Sequence, residues 1–221
     1  MKTFHDLQEG VYDPNILKAF FLAGGPGSGK SYVIGRTTGG LGMKIVNSDD
    51  AFEKLLKDAG LSLKMPPEEE EPRSAIRTHA KKLTAKRQAN YIEGRLGLII
   101  DGTGREFDRI SKQARELEIL GYDVYMIFVN TSIDVALQRN EKRARSVPTS
   151  IVTNSWKAVQ NNIGKFSNFF KGNFIIIDNN DKDEDMMKVV IKRVRRLATR
   201  KVQNGRGKAW ISQQLQMKKR A

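Results

Sequence analysis

The sequence predicts an α/β fold: a parallel sheet of about five strands with helices on both faces, followed by a basic helical extension at the C-terminus. Three observations predict it. Short apolar runs alternate with longer helix-compatible segments between residues 20 and 178, the pattern left by strands buried on both faces beneath crossover helices. A glycine-rich stretch follows the first apolar run at once, where a strand would hand over to a helix. Positive charge gathers behind the last apolar run, since residues 186–221 hold twelve Lys and Arg and no acid.

The elements follow in order. Phe20-Phe21-Leu22-Ala23 reads as a first strand, ended by glycines and followed by a helix from Lys30 to about Thr38. Lys44 to Val46 is a second strand, with a helical region from about Ala51. Pro66-Pro67-Glu68-Glu69-Glu70-Glu71-Pro72 is of low complexity and reads as a solvated, mobile loop. Leu98-Ile99-Ile100 is a third strand, and a helix from about Phe107 to Leu120 stops at Gly121. Val124 to Val129 is a fourth, followed by helical patterns from Ile133 to Arg145 and from Ile151 to Phe169, and Phe174 to Ile177 is the last.

Composition narrows the classes. The chain has 221 residues, 39% of them hydrophobic, which suits one domain with a modest extension. The net charge of +14 divides unevenly: setting the last 36 residues aside leaves 27 bases against all 25 acids. A nearly neutral domain over residues 1–185 and a basic helical tail over 186–221 are therefore expected. With no cysteine there is no disulfide and no thiolate zinc site, and His5 and His79 are too few for a histidine metal cluster. No run of about 18 apolar residues occurs, and MKTFHDLQEG lacks the apolar stretch of a signal peptide, so a cytoplasmic location is expected.

Parallel sheets bind ligands at the carboxyl ends of their strands, and the residues standing there carry chemistry. Gly24-Gly25-Pro26-Gly27-Ser28-Gly29-Lys30-Ser31 satisfies the P-loop pattern, with the required strand before it and helix after it. Its glycines let backbone N–H groups point inward, and the helix adds its positive end. Lys30 would bridge the β- and γ-phosphates of ATP, and Ser31 would ligate Mg²⁺. The third strand runs into Asp101-Gly102-Thr103-Gly104-Arg105 without the glutamate of hydrolysing motors, and no Asn-Lys-x-Asp base-reading element is present. Both absences weigh against a motor and a guanine-specific switch.

Phosphoryl transfer to a hydroxyl needs a carboxylate near the acceptor and cations around the transferred group. After the second strand, Asn47-Ser48-Asp49-Asp50-Ala51-Phe52 supplies two carboxylates, one of which is expected to cap the helix. Behind the fourth strand, Arg139, Lys142, Arg143 and Arg145 recur at helical spacing, as a phosphate-binding lid would require.

With these residues in view the chain resembles the zeta-toxin and polynucleotide-kinase group of P-loop kinases, from about Phe20 to Asp178. Leu98 to Arg105 is similar to the zeta-toxin pattern of apolar strand, acid and Gly-Thr-x-Arg, and Ala144-Arg145-Ser146-Val147-Pro148 to its Ala-Arg-x-x-Pro. Gln138 to Arg143 resembles the lid of phage polynucleotide kinases equally well. The resemblance implies a nucleoside-kinase-like P-loop NTPase fold and an ATP- and Mg²⁺-dependent kinase acting on a hydroxyl. It implies that Asp49 or Asp50 is the general base. Asp50 is preferred because these families place an aromatic two residues after the base, and Phe52 stands there. Asp101, Thr103 and Arg105 would face the acceptor, while Arg139, Arg143 and Arg145 would bind nucleotide phosphates. One position departs: where the family commonly has Arg or Lys after the aromatic, this chain has Glu53. The acceptor therefore stays open among a nucleotide, a nucleotide sugar and a nucleic-acid end.

In the tail, Met187, Val190, Val194, Leu197 and Ala198 recur at helical spacing among seven bases. Gly205 and Gly207 are expected to break that helix before a second short one around Trp210, Ile211 and Leu215. The apolar stripe could pack on the body, and the basic face could bind nucleic-acid phosphates or an anionic membrane. An ATPase module anchored to nucleic acid by this tail is the competing functional reading.

Overall fold

The structure, a computed structural model, describes residues 10–64, 66–143, 147–181 and 183–220. In chain order the first half comprises β1 (Lys18–Ala23), α1 (Lys30–Thr38), β2 (Lys44–Val46), α2 (Ser48–Asp58), α3 (Glu70–Glu93), β3 (Leu98–Asp101) and α4 (Phe107–Ile119). The second comprises β4 (Asp123–Asn130), α5 (Ile133–Glu141), α6 (Thr149–Gln160), α7 (Ile163–Phe170), β5 (Phe174–Asp178), α8 (Glu184–Thr199) and α9 (Gly205–Arg220).

All five strands pair in parallel in the order β2-β3-β1-β4-β5, as the alternation of elements requires. Every residue of β1 is buried, because successive side chains serve opposite faces and both are covered. Ala19, Phe21 and Ala23 join one core with Val124, Met126 and Phe128 of β4. Phe20 and Leu22 join the other with Tyr125, Ile127 and Val129, and Phe20 stacks on Tyr125 at 4.6 Å between ring centroids. Ala114 and Leu117 of α4 and Phe166 and Phe170 of α7 close the first core. Val33 and Ile34 of α1, with the stripe from Met187 to Ala198 of α8, close the second.

Several expectations need correction. The Pro66–Pro72 stretch is not a loop: residues 67–69 form a 3₁₀ turn that runs into α3. Pro72 lies in the helix's first turn, where no intrahelical N–H bond is required, and the glutamates suit its positive end. The 24-residue α3 packs mainly on α2 and fully buries one side chain, Ala80, so its apolar period is faint. The pattern from Ile151 to Phe169 is two helices, broken where buried Asn162 donates to the carbonyls of Gly104 and Arg105 at 3.0 and 2.9 Å. The helix from Ile133 ends at Glu141. Gly205 and Gly207 do not interrupt a helix but lie in the first turn of α9, where Gly207 sits against the backbone of Gly121 with no room for a Cβ.

Charge and packing divide the C-terminal region at different places. The stretch set apart by charge at residue 186 begins inside α8, whose apolar side is a layer of the domain. Beyond it, Asn204 caps α9 by accepting from the Arg206 N–H at 2.9 Å, and its amide donates to the Glu118 and Tyr122 carbonyls. Among the described residues no helix is long and apolar enough to cross a membrane.

At the amino-terminal edge of the sheet, Lys18 and Asp123 are register partners and form an ion pair at 2.5 Å, with side chains 0% and 6% exposed. Asp123 also accepts the backbone N–H groups of Gln203 and Asn204, at 2.9 and 2.8 Å. Burial pushes the Lys18 ammonium below its ordinary range, and the bond to Asp123 opposes that shift. Asp123→Ala should destabilise the fold by about 3–5 kcal/mol, because it strands a buried ammonium and two N–H groups. Urea denaturation, read as the drop in midpoint at unchanged slope, measures it.

Candidate active site

The loop between β1 and α1 is wedged rather than free. Gly24, Gly27 and Gly29 have φ of 151°, 80° and 85°, the last two in the left-handed region that only glycine enters easily. A Cβ on Gly27 would strike the backbone of Ala136 in α5, and one on Gly29 the side-chain amide of Asn179. The Gly24 N–H donates to the Thr103 carbonyl at 2.9 Å, and the Asn179 amide to the Ser28 carbonyl at 2.7 Å. The loop is thus held from the ends of β3 and β5 and from α5. The Ser28 hydroxyl is buried without a partner. Lys30 lies back over the loop and donates to the Gly24 carbonyl at 2.6 Å. Burial lowers its pKa; Asp101 opposes this, Arg143 adds to it and Asp49 opposes it. A glycine cradle with an orphaned hydroxyl and a desolvated ammonium fits a polyphosphate.

Beside the cradle stands an acidic group. Asn47, not an aspartate, caps α2, accepting the Asp49 N–H at 2.7 Å. This corrects the expected cap. Its amide donates to Asp101 at 3.1 Å and reaches Asp50 at 3.5 Å, so one side chain ties the ends of β2 and β3 together. Asp49 pairs with Arg77 of α3 at 2.5 Å, and the same guanidinium lies over the Phe52 ring at 4.8 Å. Glu53 pairs instead with Lys57, at 3.3 Å. The cation missing after the aromatic in sequence is supplied in space from another helix. One oxygen of Asp101 is buried without a partner. Burial raises its pKa, Lys30 opposes this, and Asp49 and Asp50 add to it. Asp101, Thr103 and Arg105 line a pocket with Arg109 and Gln113 of α4.

The lid candidates separate. Arg139 donates to the carbonyls of Asn179 and Asn180, at 2.7 and 3.1 Å, and so braces the loop after β5. Arg143 is exposed beyond the end of α5, near enough to act on Lys30. Arg145 lies outside the described residues. Buried Asn140 ties the end of α5 to the chain before α6: its amide donates to the Val147 carbonyl at 2.8 Å and its oxygen accepts the Val147 N–H at 3.2 Å.

The family model for the zeta toxin matches residues 8–188. The chain belongs to the zeta-toxin family. No curated protein sequence matches it significantly. Among solved structures it is similar to a putative kinase from Chloroflexus aurantiacus J-10-fl, with TM-score 0.59, 16% identity, and 81% of this chain and 97% of that one covered. It is similar to the PezAT chromosomal toxin-antitoxin system of Streptococcus pneumoniae, with TM-score 0.53, 16% identity and coverage of 83% and 88%. It is also similar to the AvrRxo1-ORF1:-ORF2 complex with ATP, with TM-score 0.57, 14% identity and coverage of 73%, though it spans only 54% of that chain. At such identities the likeness is one of fold. Family and fold together are those of a nucleotide-binding, kinase-type phosphotransferase.

In this zeta-toxin-family site, motif reasoning missed Arg77 and the asparagines 47, 140, 162 and 179. Neutral amides carry no motif of their own; the one hint is that Asn47 and Asn179 each directly follow a strand. Two outcomes follow. An acid whose folded pKa is raised favours the folded state below its ordinary pKa and loses that contribution as pH rises through the raised value. Asp101→Asn should therefore raise the melting temperature at neutral pH, with the gain shrinking toward acid, as melts across a pH series would show. Asn140→Ala should cost about 1–3 kcal/mol and release Val147 from the end of α5. Limited trypsin digestion would then cut after Lys142 or Arg143 faster than in the wild type.

Proposed function

We propose that the chain is an ATP- and Mg²⁺-dependent kinase that transfers the γ-phosphoryl group to a hydroxyl of a nucleotide, nucleotide sugar or nucleic-acid end. The observation that carries this reading is the convergence at one sheet edge of a glycine cradle, its half-buried lysine, and a carboxylate group coupled electrostatically to that lysine. An alcohol acceptor needs such a carboxylate to take its proton, and the glutamate with which a hydrolysing motor orients water does not follow Asp101. The family and the ATP-bound neighbour of like fold support it.

In this reading the loop N–H groups and the start of α1 take the phosphates, and Lys30 leaves the Gly24 carbonyl to span the β and γ groups. Arg143 adds positive charge on the γ side, while Arg139 positions the loop through Asn179. Asp49 is bonded to Arg77 of α3, and Asp50, two residues before Phe52, is the carboxylate proposed to take the acceptor proton. The acceptor oxygen bonds to the γ-phosphorus, the bond from phosphorus to the ADP oxygen breaks, and the hydroxyl proton passes to the Asp50 carboxylate. Asp101 and Thr103 orient the acceptor. Mg²⁺, when bound, would supply charge neutralisation to the phosphates. Ser31 in the first turn of α1 is the residue that would hold it, together with phosphate oxygens, since no group of three or more acids or histidines is gathered for a metal among the described residues.

The test is a γ-labelled ATP assay over a panel of mononucleotides, nucleotide sugars and oligonucleotides. Asp50→Asn should cut transfer by roughly 10²- to 10⁴-fold while leaving ATP affinity nearly unchanged. Full transfer by that variant would refute the base assignment. Phosphate release with label on no acceptor would turn the reading to an ATPase.

A further inference from the structure

The residues of α8 are sorted by side. At about 100° per residue, Met187, Val190, Val194, Leu197 and Ala198 fall within an arc of about 100°, and all are buried in the core that the helix closes. Lys188, Lys192, Arg195 and Arg196 fall within an arc of the same width on the opposite side, and all are exposed. They follow one another along about 12 Å of helix.

Neither packing nor charge balance accounts for this face. The acids end at Asp185, which pairs with Lys188 at 2.8 Å, while Glu184 pairs with Arg36 of α1 at 2.7 Å. From residue 186 onward there is no acid, and Lys192, Arg195 and Arg196 join no ion pair among the described residues. Lys192 stands four residues after Lys188 and four before Arg196, a spacing at which like charges repel and weaken a helix. The helix dipole favours cations in the last turn, which covers Arg196 but not Lys192.

We propose that this face of α8 is a docking surface for the phosphate backbone of a nucleic-acid duplex, which holds the enzyme in place and is not its acceptor. Position separates the two roles. Arg193, beside the face, donates to the Gly172 and Phe174 carbonyls at the start of β5, which brings exposed Lys171 to the flank of the patch. The carboxylates Asp49, Asp50 and Asp101 instead stand at the ends of β2 and β3, at the other side of the strand order. Chemistry selects the partner. Single strands are gripped by stacking bases on aromatic side chains, and α8 has none. A bilayer takes up the apolar side of a helix, but that side of α8 is in the core, and Val189 is its one exposed large apolar residue. A straight row of Lys and Arg suits duplex phosphates, since each phosphate neutralised releases counterions. Contacts of this kind fix position without reading sequence.

The test is equilibrium binding of a fluorescent DNA duplex of about 20 base pairs to the full chain across a salt series. Wild type should bind it, with affinity falling steeply as salt rises. Lys192→Gln/Arg195→Gln/Arg196→Gln should lose at least about tenfold in affinity at low salt, and its salt slope should fall by about three. If its melting curve reveals a folding defect, the three single substitutions should each lower the slope by about one. Lys81→Gln/Lys82→Gln/Lys86→Gln on α3, which removes the same charge elsewhere, should bind as wild type does, and so should Lys30→Ala at the phosphate cradle. Unchanged binding in the α8 variant, or an equal loss in the α3 variant, would overturn the proposal. Loss of binding in Lys30→Ala would move the duplex to the cradle and overturn it as well. Tighter binding of the corresponding single strand, or capture by phosphatidylserine vesicles without duplex binding, would assign the face to those partners instead.

Discussion

The fold hangs on one buried ion pair at the edge farthest from the site. Lys18 and Asp123 begin the two central strands and face each other in register, so their bond fixes β1 against β4 before any hydrophobic contact is counted. Desolvating two charges is costly, and such a pair is tolerated only when its remaining hydrogen-bonding capacity is used. Here the carboxylate also takes the N–H groups of Gln203 and Asn204, which draws the chain after α8 under the sheet. The same acid thus sets the register of the centre and ties down the C-terminal segment. Register matters for the chemistry, since a one-residue slip would exchange Phe21 with Phe20 between the two cores and carry Gly24 away from Thr103.

At the opposite edge, beside the Asp49–Arg77 pair and the Arg139 brace, much of the tying is done by amides. Asn47, Asn140, Asn162 and Asn179 each bond two partners or bridge two segments, and each leaves the local field unchanged. Electrostatic freedom is thereby kept for Lys30, Asp101 and Arg143. The cost is visible in the same place: the buried Ser28 hydroxyl and one Asp101 oxygen lack partners, and Lys30 and Asp101 are both pushed by burial toward their neutral forms. Buried, under-satisfied polar groups of this kind are strain that a bound ligand can relieve.

How much of this could be read beforehand follows from where each signal lies along the chain. β1, its glycine loop and α1 are contiguous, and each element's period or composition is strong, so sheet class and phosphate cradle were both plain. α3 was hidden for a physical reason. It packs on α2 instead of the sheet, with Ile76 and Ala80 as its main apolar contacts, and its entry is masked by prolines that usually mark loops. With α3 unseen, Arg77 could not be brought to Asp49, 28 residues earlier. Arg139 shows another limit: its spacing suits a lid, but the carbonyls that engage it come from the turn after β5, a non-local contact that periodicity does not report.

The partition of charge also changes meaning once the fold is known. Along the sequence the +14 surplus sits in the last 36 residues, beside a body with 27 bases and 25 acids. In space, the domain includes α8, and within the body the near-neutral sum conceals α3, whose bases are separated from the acids that cancel them on paper. Exposed charges interact over about 10 Å at moderate salt, so what an approaching ion meets is the local grouping of charge and not the segment total. The substitution of Glu53 for a family cation belongs to the same logic. Glu53 is engaged by Lys57, and the positive group over Phe52 comes from Arg77. Moving that cation from α2 to α3 makes the charge over Phe52 depend on the packing of α3 against α2, so a contact between two helices sets the field beside the carboxylates where a residue of α2 alone would otherwise do so.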